Sequence, residues 1–259
     1  EGLSSQGRCC LLWAVARLSA SPPWLLKLMQ LCADSAPSFS GHQLATALHA
    51  LARLDAARAG LSAAREPQTL LEALHQELRR RQKSLGPGAT SAMDTVLMAD
   101  ALAKLQVRDD ALFASLATAL RSFLTGGELG IREVRHAAAA FSSLGFVDAR
   151  LASAICVWLA PRTASCSSND LAALAFALAR SGAAGGTHEK LFEALGPEVL
   201  SRVKRGELGA RDAASLIFSF WQAGALPPSA ALPSSDERWE LVWALASLVE
   251  SSPEALSGQ

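Results

Sequence analysis

Short apolar segments of similar sequence recur along the chain, and several end in a run such as LLWAVARL or LVWALASL. When they are aligned on their last residue, taken as position 0, they end at residues 18, 54, 105, 144, 181, 223 and 248. Apolar residues fill positions −7, −6 and −3 and, apart from Ser181, position 0, which is the spacing of the buried stripe of an amphipathic helix. Position −4 is small throughout, which would let a neighbouring helix approach closely. The pattern predicts seven related helices, which we call A helices.

Residues that favour helix starts stand fourteen positions before the end of each segment. They are Ser4, Ser40, Ser91, Gly130, Ser167, Gly209 and Ser234. Ser is common at this place because its side-chain oxygen accepts a hydrogen bond from a backbone N–H of the first turn, and Gly is also preferred there. Ser40 with Gln43, and Ser234 with Glu237, also have the spacing of a capping box. We therefore expect each A helix to begin directly after its Ser or Gly.

Further helical segments, which we call B helices, fit between the A helices. The candidates span residues 24–33, 68–85, 109–125, 149–159 and 188–205. One A helix and the B helix after it cannot bury their apolar faces alone, so such pairs must stack. The sequence therefore predicts an all-α fold, a right-handed α-solenoid of stacked helix-turn-helix repeats of about 36–42 residues.

We expect one helical-repeat array over residues 1–259, although its units differ in length. The predicted units span about 4–39, 40–90, 91–129, 130–166, 167–208, 209–233 and 234–259. The second unit has about a dozen extra residues around positions 56–66, and only residues 224–233 separate the sixth A helix from the seventh. Either the sixth unit has no B helix or the chain lacks residues there, and our hypothesis is that residues are missing.

Composition and charge narrow the possible functions. Half of the residues are hydrophobic, Ala and Leu dominate, and there is no Tyr, which excludes intrinsic disorder and disfavours a β-sandwich or barrel. Charged residues or prolines interrupt every apolar stretch, so no membrane span is expected. The net charge is zero, which argues against an avid non-specific nucleic-acid binder. The basic excess lies in residues 1–205, so a polyanionic partner should prefer that part.

Residues 22–54 open with PPWLL, which is close to a PPxWL-type helix start, and close with ALARL, and residues 11–18 and 241–248 carry a related tail. In these features the chain resembles the octotricopeptide repeat family, and it is similar to heptatricopeptide and FAST-kinase-like organellar repeat proteins. The resemblance implies an α-solenoid that binds organellar RNA. For some family members it also implies a place as an accessory subunit in an organellar ribosome.

From the pattern and the resemblance we expect a non-catalytic RNA-binding scaffold in an organelle. The narrower prediction is an accessory subunit of a mitochondrial ribosome that contacts ribosomal RNA and neighbouring proteins of that ribonucleoprotein complex. We expect no cofactor, no metal, no membrane and no small-molecule substrate, and the chloroplast is the alternative location. A purely protein-binding scaffold and a free transcript-specific maturation or translation factor are the other functions left open.

Basic residues are the candidate RNA contacts, because Arg and Lys bind phosphates. Position −1 is basic in four A helices, and clusters of basic residues close two of the B helices. The predicted RNA-binding residues are Arg79, Arg80, Arg81, Lys83, Arg132, Arg135, Arg17, Arg53, Lys104, Arg180, Lys204 and Arg205. Cations near helix ends can also simply complement the helix dipole or lie in solvent.

Two further positions of the A helices bear on recognition. Position −12 holds Gln6, Asn169 and two arginines, which suit base contacts, although a solvated helix start is the simpler interpretation. Trp13, Trp243 and two phenylalanines share position −5, and their recurrence at one helical position predicts core packing rather than base stacking.

The signals for an enzyme are weak. His42 and His49 are seven residues apart, about 10 Å along a helix, which is too far to share a metal. The glycine-rich residues 182–186 lack the GK[ST] ending of a phosphate loop. The five cysteines show no metal-ligand or disulfide spacing, so we expect them to be buried small hydrophobic residues.

Overall fold

The computed structural model of the protein describes residues 2–57, 65–181, 187–225 and 237–251. Within these ranges the regular structure is helical and includes no strand, which confirms the all-α prediction. The α-helices are α1 (Ser5–Arg17), α2 (Leu25–Ser35), α3 (Gly41–Ala57), α4 (Arg65–Arg81), α5 (Ala92–Lys104), α6 (Asp110–Thr125), α7 (Ile131–Ser143), α8 (Ala149–Leu159), α9 (Ser168–Ala179), α10 (Thr187–Lys204), α11 (Ala210–Gln222) and α12 (Glu237–Glu250). Short 3-10 turns at Ala36–Ser38, Gln82–Ser84 and Ala160–Ser165 follow α2, α4 and α8.

The serine caps predicted for the A helices are in place where the structure describes them. Ser4, Ser91 and Ser167 each accept a hydrogen bond from the backbone N–H three residues on, at 3.0–3.2 Å. Ser40 and Gln43 form the expected capping box, since the Gln43 N–H donates to the Ser40 Oγ at 3.2 Å and the Ser40 N–H donates to the Gln43 Oε1 at 2.8 Å. These caps satisfy backbone donors that would otherwise have no partner at the helix start.

The B helices are α2, α4, α6, α8 and α10, and they lie close to the predicted segments. α8 matches residues 149–159, and α6 and α10 begin within one residue of their predicted starts. α4 begins earlier than the predicted 68–85 and ends at Arg81, because the chain changes to a 3-10 turn there.

The chain divides into two compact units, residues 1–129 and 130–259, at one of the predicted repeat boundaries. In the first unit, α1, α3 and α5 pack side by side, α2 packs on α4, and each A helix contacts the B helix after it. In the second unit, α7, α9, α11 and α12 pack in series, and α10 contacts both α8 and α12. Hairpins that stack on their neighbours in this way are the arrangement of an α-solenoid.

The core of each unit forms at the positions that the apolar pattern predicted. Positions −7, −6 and −3 are buried or half-buried in every A helix. Position −4 is fully buried at Ala50, Ala101 and Ser219, so a small side chain there allows close contact between neighbouring A helices.

Position 0 is buried or half-buried in the A helices except at Leu18, where its assignment to the buried stripe is wrong. Leu18 is 76% exposed, whereas Leu54 is buried. Leu18 and Leu105 are C-cap residues, and the residues after them, Ser19 and Gln106, have φ values of 50° and 56°. The chain turns away from the helix at this point, and the apolar side chain at position 0 therefore lies at the edge of the core.

Several predicted features fall outside the described residues: the Ser234 cap, the glycine-rich residues 182–186, most of the extra segment and the end of the short sixth unit. None of the helices in the described ranges is long and apolar enough to cross a membrane.

Candidate nucleic-acid interface

One face of each A helix stays outside the core. Positions −12, −8, −5 and −1 are spaced by four, three and four residues, so they share one side of the helix. We call the face formed by α1, α3 and α5 the first-unit stripe: Gln6, Cys10, Trp13, Arg17, His42, Thr46, His49, Arg53, Met93, Leu97, Asp100 and Lys104. The second-unit stripe, on α7, α9 and α11, consists of Arg132, His136, Ala139, Ser143, Asn169, Ala173, Phe176, Arg180, Arg211, Ser215, Phe218 and Gln222. All of these residues except Asp100 are exposed or half-buried.

Contacts between neighbouring A helices show that the helices are in register. In the first unit the Gln43 Nε2 donates to the Gln6 Oε1 at 2.9 Å, and the His42 Nδ1 lies 2.8 Å from the Asp94 Oδ1. In the second unit the rings of Phe176 and Phe218, both at position −5, are 5.4 Å apart. Positions −12 and −11 meet in the first unit and positions −5 meet in the second, so successive A helices are in register to within one residue.

The two stripes are basic. Arg17, Arg53 and Lys104 in the first-unit stripe are exposed, and Lys104 forms a 2.6 Å ion pair with Asp100. Arg132, Arg180 and Arg211 in the second-unit stripe are exposed as well. Among the described stripe residues Asp100 is the only acid, so each stripe offers a positive surface to a polyanion.

Two of the position −1 arginines lie against aromatic rings at position −5. The Arg17 guanidinium is 5.6 Å from the centre of the Trp13 ring, and the Arg180 guanidinium is 5.5 Å from the centre of the Phe176 ring. A cation over a ring face is held in place by the ring's electrons and keeps its outward N–H groups for other acceptors. These pairs present charge and a flat apolar surface together.

The position −5 aromatic residues are not core residues, which corrects the prediction from the sequence. Trp13 is 41% exposed, Phe218 is 38% exposed and Trp243 is 59% exposed. The repeat pattern located this position correctly on each helix but could not decide whether that flank is covered. Positions −7, −6, −4 and −3 of the A helices are buried or half-buried, whereas position −5 lies at the rim of the packed face, where Phe176 and Phe218 still touch each other.

The cluster at the end of α4 is largely occupied within the protein. The Arg79 Nε is 3.0 Å from the Asp109 Oδ2, and the Arg80 guanidinium forms a two-point contact with Glu77 at 2.6 and 2.7 Å. Lys83 is exposed on the following 3-10 turn. Hydrogen bonds from Arg80, with those from Arg81, outweigh burial and hold the pKa of Glu77 below its usual range.

Arg81 has a structural role that the sequence did not reveal. Its guanidinium donates to the carbonyl oxygens of Phe39 at 2.6 Å and Pro37 at 3.1 Å, and it also pairs with Glu77. These carbonyls belong to the link between α2 and α3, so Arg81 fastens α4 to the preceding repeat. The expectation that Arg79, Arg80 and Arg81 all lie on a solvated helix end is wrong for Arg81.

A second arginine fastens repeats in the same way. Arg202 on α10 is only 4% exposed and pairs with Glu198 at 2.6 Å, while its guanidinium donates to the Thr163 carbonyl at 3.0 Å. The Ser168 Oγ accepts a further hydrogen bond at 3.3 Å. In both cases the glutamate precedes the arginine by four residues, a spacing that is visible in the sequence but is also common on exposed helix surfaces.

The three remaining predicted RNA contacts form ion pairs with acids of the same chain. Arg135 forms a 2.8 Å ion pair with Asp170, and Lys204 forms a 2.8 Å ion pair with Glu240. Arg205 pairs with Glu207 at 2.8 Å, which raises the pKa of the guanidinium further. The exposed stripe cations are therefore better placed for an external partner than these three residues.

The described residues give little support for metal or thiol chemistry. No group of three His, Cys, Asp or Glu side chains within them could hold a metal ion. Cys9, Cys32, Cys156 and Cys166 are buried, as predicted, and burial raises the pKa of Cys9 and Cys156 to about 12 and that of Cys32 to about 11. Cys10 is exposed, contrary to the prediction.

The chain matches no protein-family model, and no curated protein matches it significantly. The likeness to octotricopeptide repeats stays a prediction from residues 22–54 and the recurring helix tail.

Proposed function

We propose that this protein is a non-catalytic helical-repeat scaffold that binds single-stranded RNA through the exposed stripes of its A helices. The observation that supports this most directly is the composition of the second-unit stripe. It combines three exposed arginines with aromatic rings, and its described residues include no acid.

Both components suit RNA. Arginine donates to phosphate oxygens in a two-point geometry, and exposed rings stack on bases that are not paired. Helices that pack side by side are about 8–10 Å apart, so a row of A helices offers successive contacts to an extended strand. Each contact is weak alone, and a strand that spans several helices adds them together.

The narrower proposal is an accessory subunit of a mitochondrial ribosome, with the chloroplast as the alternative location. It depends on the octotricopeptide resemblance together with a zero net charge. A subunit held between RNA and other proteins needs local basic surfaces rather than a large overall charge. Sedimentation of the native complex tests this directly: co-migration with a ribosomal subunit supports it, and migration as a free monomer contradicts it.

A purely protein-binding scaffold is the second candidate, and one observation favours it. Arg79, Arg80, Arg135, Lys204 and Arg205 all form ion pairs with acids of the same chain. A surface whose cations are already paired attracts a polyanion less strongly than one with unpaired cations.

Fluorescence anisotropy with a labelled single-stranded RNA of mixed sequence separates the two functions. Single-stranded binding weakens with salt by a slope of about −0.7 in log K per contacted phosphate, so three arginine contacts give a slope near −2. The double variant Arg180→Gln, Arg211→Gln should lower the affinity several-fold and reduce the slope by about 1.4.

The matched control removes two exposed cations of the same unit from B helices. Arg150 on α8 and Lys190 on α10 are exposed and lie off the stripe. The double variant Arg150→Gln, Lys190→Gln changes the net charge equally and should bind RNA almost as the unchanged protein does. Equal losses in both variants would show a non-specific charge effect, and no salt-dependent RNA binding by the unchanged protein would favour the protein-binding scaffold.

A further inference from the structure

Three aromatic side chains form a row on the surface of the second unit. Phe176 extends from α9, and Phe218 and Trp221 extend from α11. The ring centres of Phe176 and Phe218 are 5.4 Å apart, and those of Phe218 and Trp221 are 5.9 Å apart. The rings are tilted by 37° and 50° to one another, so they make a continuous but uneven apolar surface.

Two of the three side chains are exposed although they are large and apolar, and Phe176 is half-buried. Phe218 is 38% exposed and Trp221 is 64% exposed, while Phe220 between them on α11 is buried. Trp221 also departs from the repeat pattern, because position −2 holds a small residue in the other A helices, as at the buried Ala103 and Ala179. Contiguous apolar surface of this kind on a folded unit marks an interaction site more often than it serves packing.

The charges around the row indicate what kind of partner it takes. Arg180 lies over Phe176 at 5.5 Å, and Arg211 is exposed on the same helix as Phe218 and Trp221. Asp170, the acid in the first turn of α9, is held by the Arg135 ion pair. Flat rings beside available arginines fit a ligand that has flat apolar faces and negative charges along its backbone, which describes single-stranded nucleic acid.

We infer that Phe176, Phe218 and Trp221 are a stacking platform for unpaired RNA bases, with Arg180 and Arg211 on the phosphates that flank them. The inference rests on the proposed RNA-binding function and adds to it the way in which bases are held. Since every base has a stacking face, the platform accepts many sequences and gives affinity rather than a strict sequence preference.

The test compares an RNA oligonucleotide with an abasic oligonucleotide of the same length, which keeps the ribose-phosphate backbone and lacks the bases. The unchanged protein should bind the RNA at least about tenfold more tightly than the abasic strand, since one stacked base contributes on that order. Trp221→Leu should remove most of this preference while leaving the abasic strand's affinity unchanged. Because Trp221 is mostly exposed, this variant should fold normally, and the double variant Phe176→Leu, Phe218→Leu should act in the same direction.

Trp24→Leu is the matched control, because Trp24 is an exposed tryptophan that lies on the first unit before α2. It should leave the preference for bases intact. Equal binding of both strands by the unchanged protein would overturn the platform and leave the proposed RNA binding standing. No binding of either strand would overturn both, and binding of a proline-rich peptide at Trp221 without RNA binding would reassign the row to a protein partner.

Discussion

At the scale of single residues, the basic side chains fall into two groups that the sequence could not separate. Arg81 and Arg202 reach back to carbonyl oxygens of the preceding repeat, whereas Arg180 and Arg211 stay on the surface. A guanidinium has five N–H donors in a fixed plane, so it can satisfy a carboxylate and two carbonyls at once. Which role an arginine takes depends on the loop that folds next to it, and that loop is distant in the sequence.

Arg202→Met should destabilise the protein by about 1.5–3 kcal/mol, because it removes the 2.6 Å partner of the partly buried Glu198 carboxylate and one of the two donors to the Thr163 carbonyl. Glu198 then keeps a 3.7 Å contact with Arg205. Urea unfolding followed by circular dichroism measures the change. Arg205→Met is the control. It should change stability little, because Arg205 is exposed and its ion pair with Glu207 lies at the surface.

The double variant Arg202→Met, Glu198→Leu should recover part of the loss, since no unpaired charge is then left behind. If Arg202→Met and Arg205→Met had equal and small effects, Arg202 would not be a link between repeats.

At the scale of helices, the sequence predicts where each element begins much better than which of its flanks is covered. The caps at Ser4, Ser91 and Ser167 are local, since the bonded groups are three residues apart, and the pattern found them. Whether position −5 is covered depends on the next helix, and Leu18 is exposed because the chain turns at Ser19. The exposure of the aromatic row was missed for this reason, although Trp221, at a position that is alanine in five of the other six A helices, was an available signal.

The small-residue column gives a prediction for helix packing. Ala101 on α5 is completely buried at position −4, on the helix that packs against α3. Ala101→Trp should destabilise the first unit by about 1–3 kcal/mol or more, because the larger ring forces the two helices apart.

Ala114 on α6 is exposed, so Ala114→Trp is a control that adds the same volume without overpacking. Thermal unfolding should show a clearly lower melting temperature for the Ala101 variant alone. An unchanged melting temperature would mean that position −4 does not set the distance between A helices.

At the scale of the whole molecule, many carboxylates are used to join elements rather than to keep the surface negative. Asp109 accepts a hydrogen bond from the Leu112 N–H and also contacts His75 and Arg79. Burial raises the pKa of Asp109, but these three contacts outweigh it and hold the pKa below the usual value of 3.8. The pKa of Glu77 is lowered in the same sense by its arginines. This use of acids explains how a chain with zero net charge can still leave basic stripes exposed.

The lowered pKa values make the fold sensitive to acid. Above about pH 5 the Asp109 and Glu77 carboxylates are ionised in both the folded and the unfolded chain, and their contacts stabilise the folded state fully. As the pH falls below about 4, the unfolded chain takes up protons first, so the free energy of unfolding decreases. Burial raises the pKa of Asp212, which opposes this trend. The urea midpoint should therefore be nearly constant from pH 7 to 5 and fall steeply below pH 4.

The variant Asp109→Asn, which keeps a good helix cap, should be less stable at pH 7, and its urea midpoint should fall less steeply in acid. Parallel curves for the two proteins would show that the contacts of Asp109 add nothing to folding.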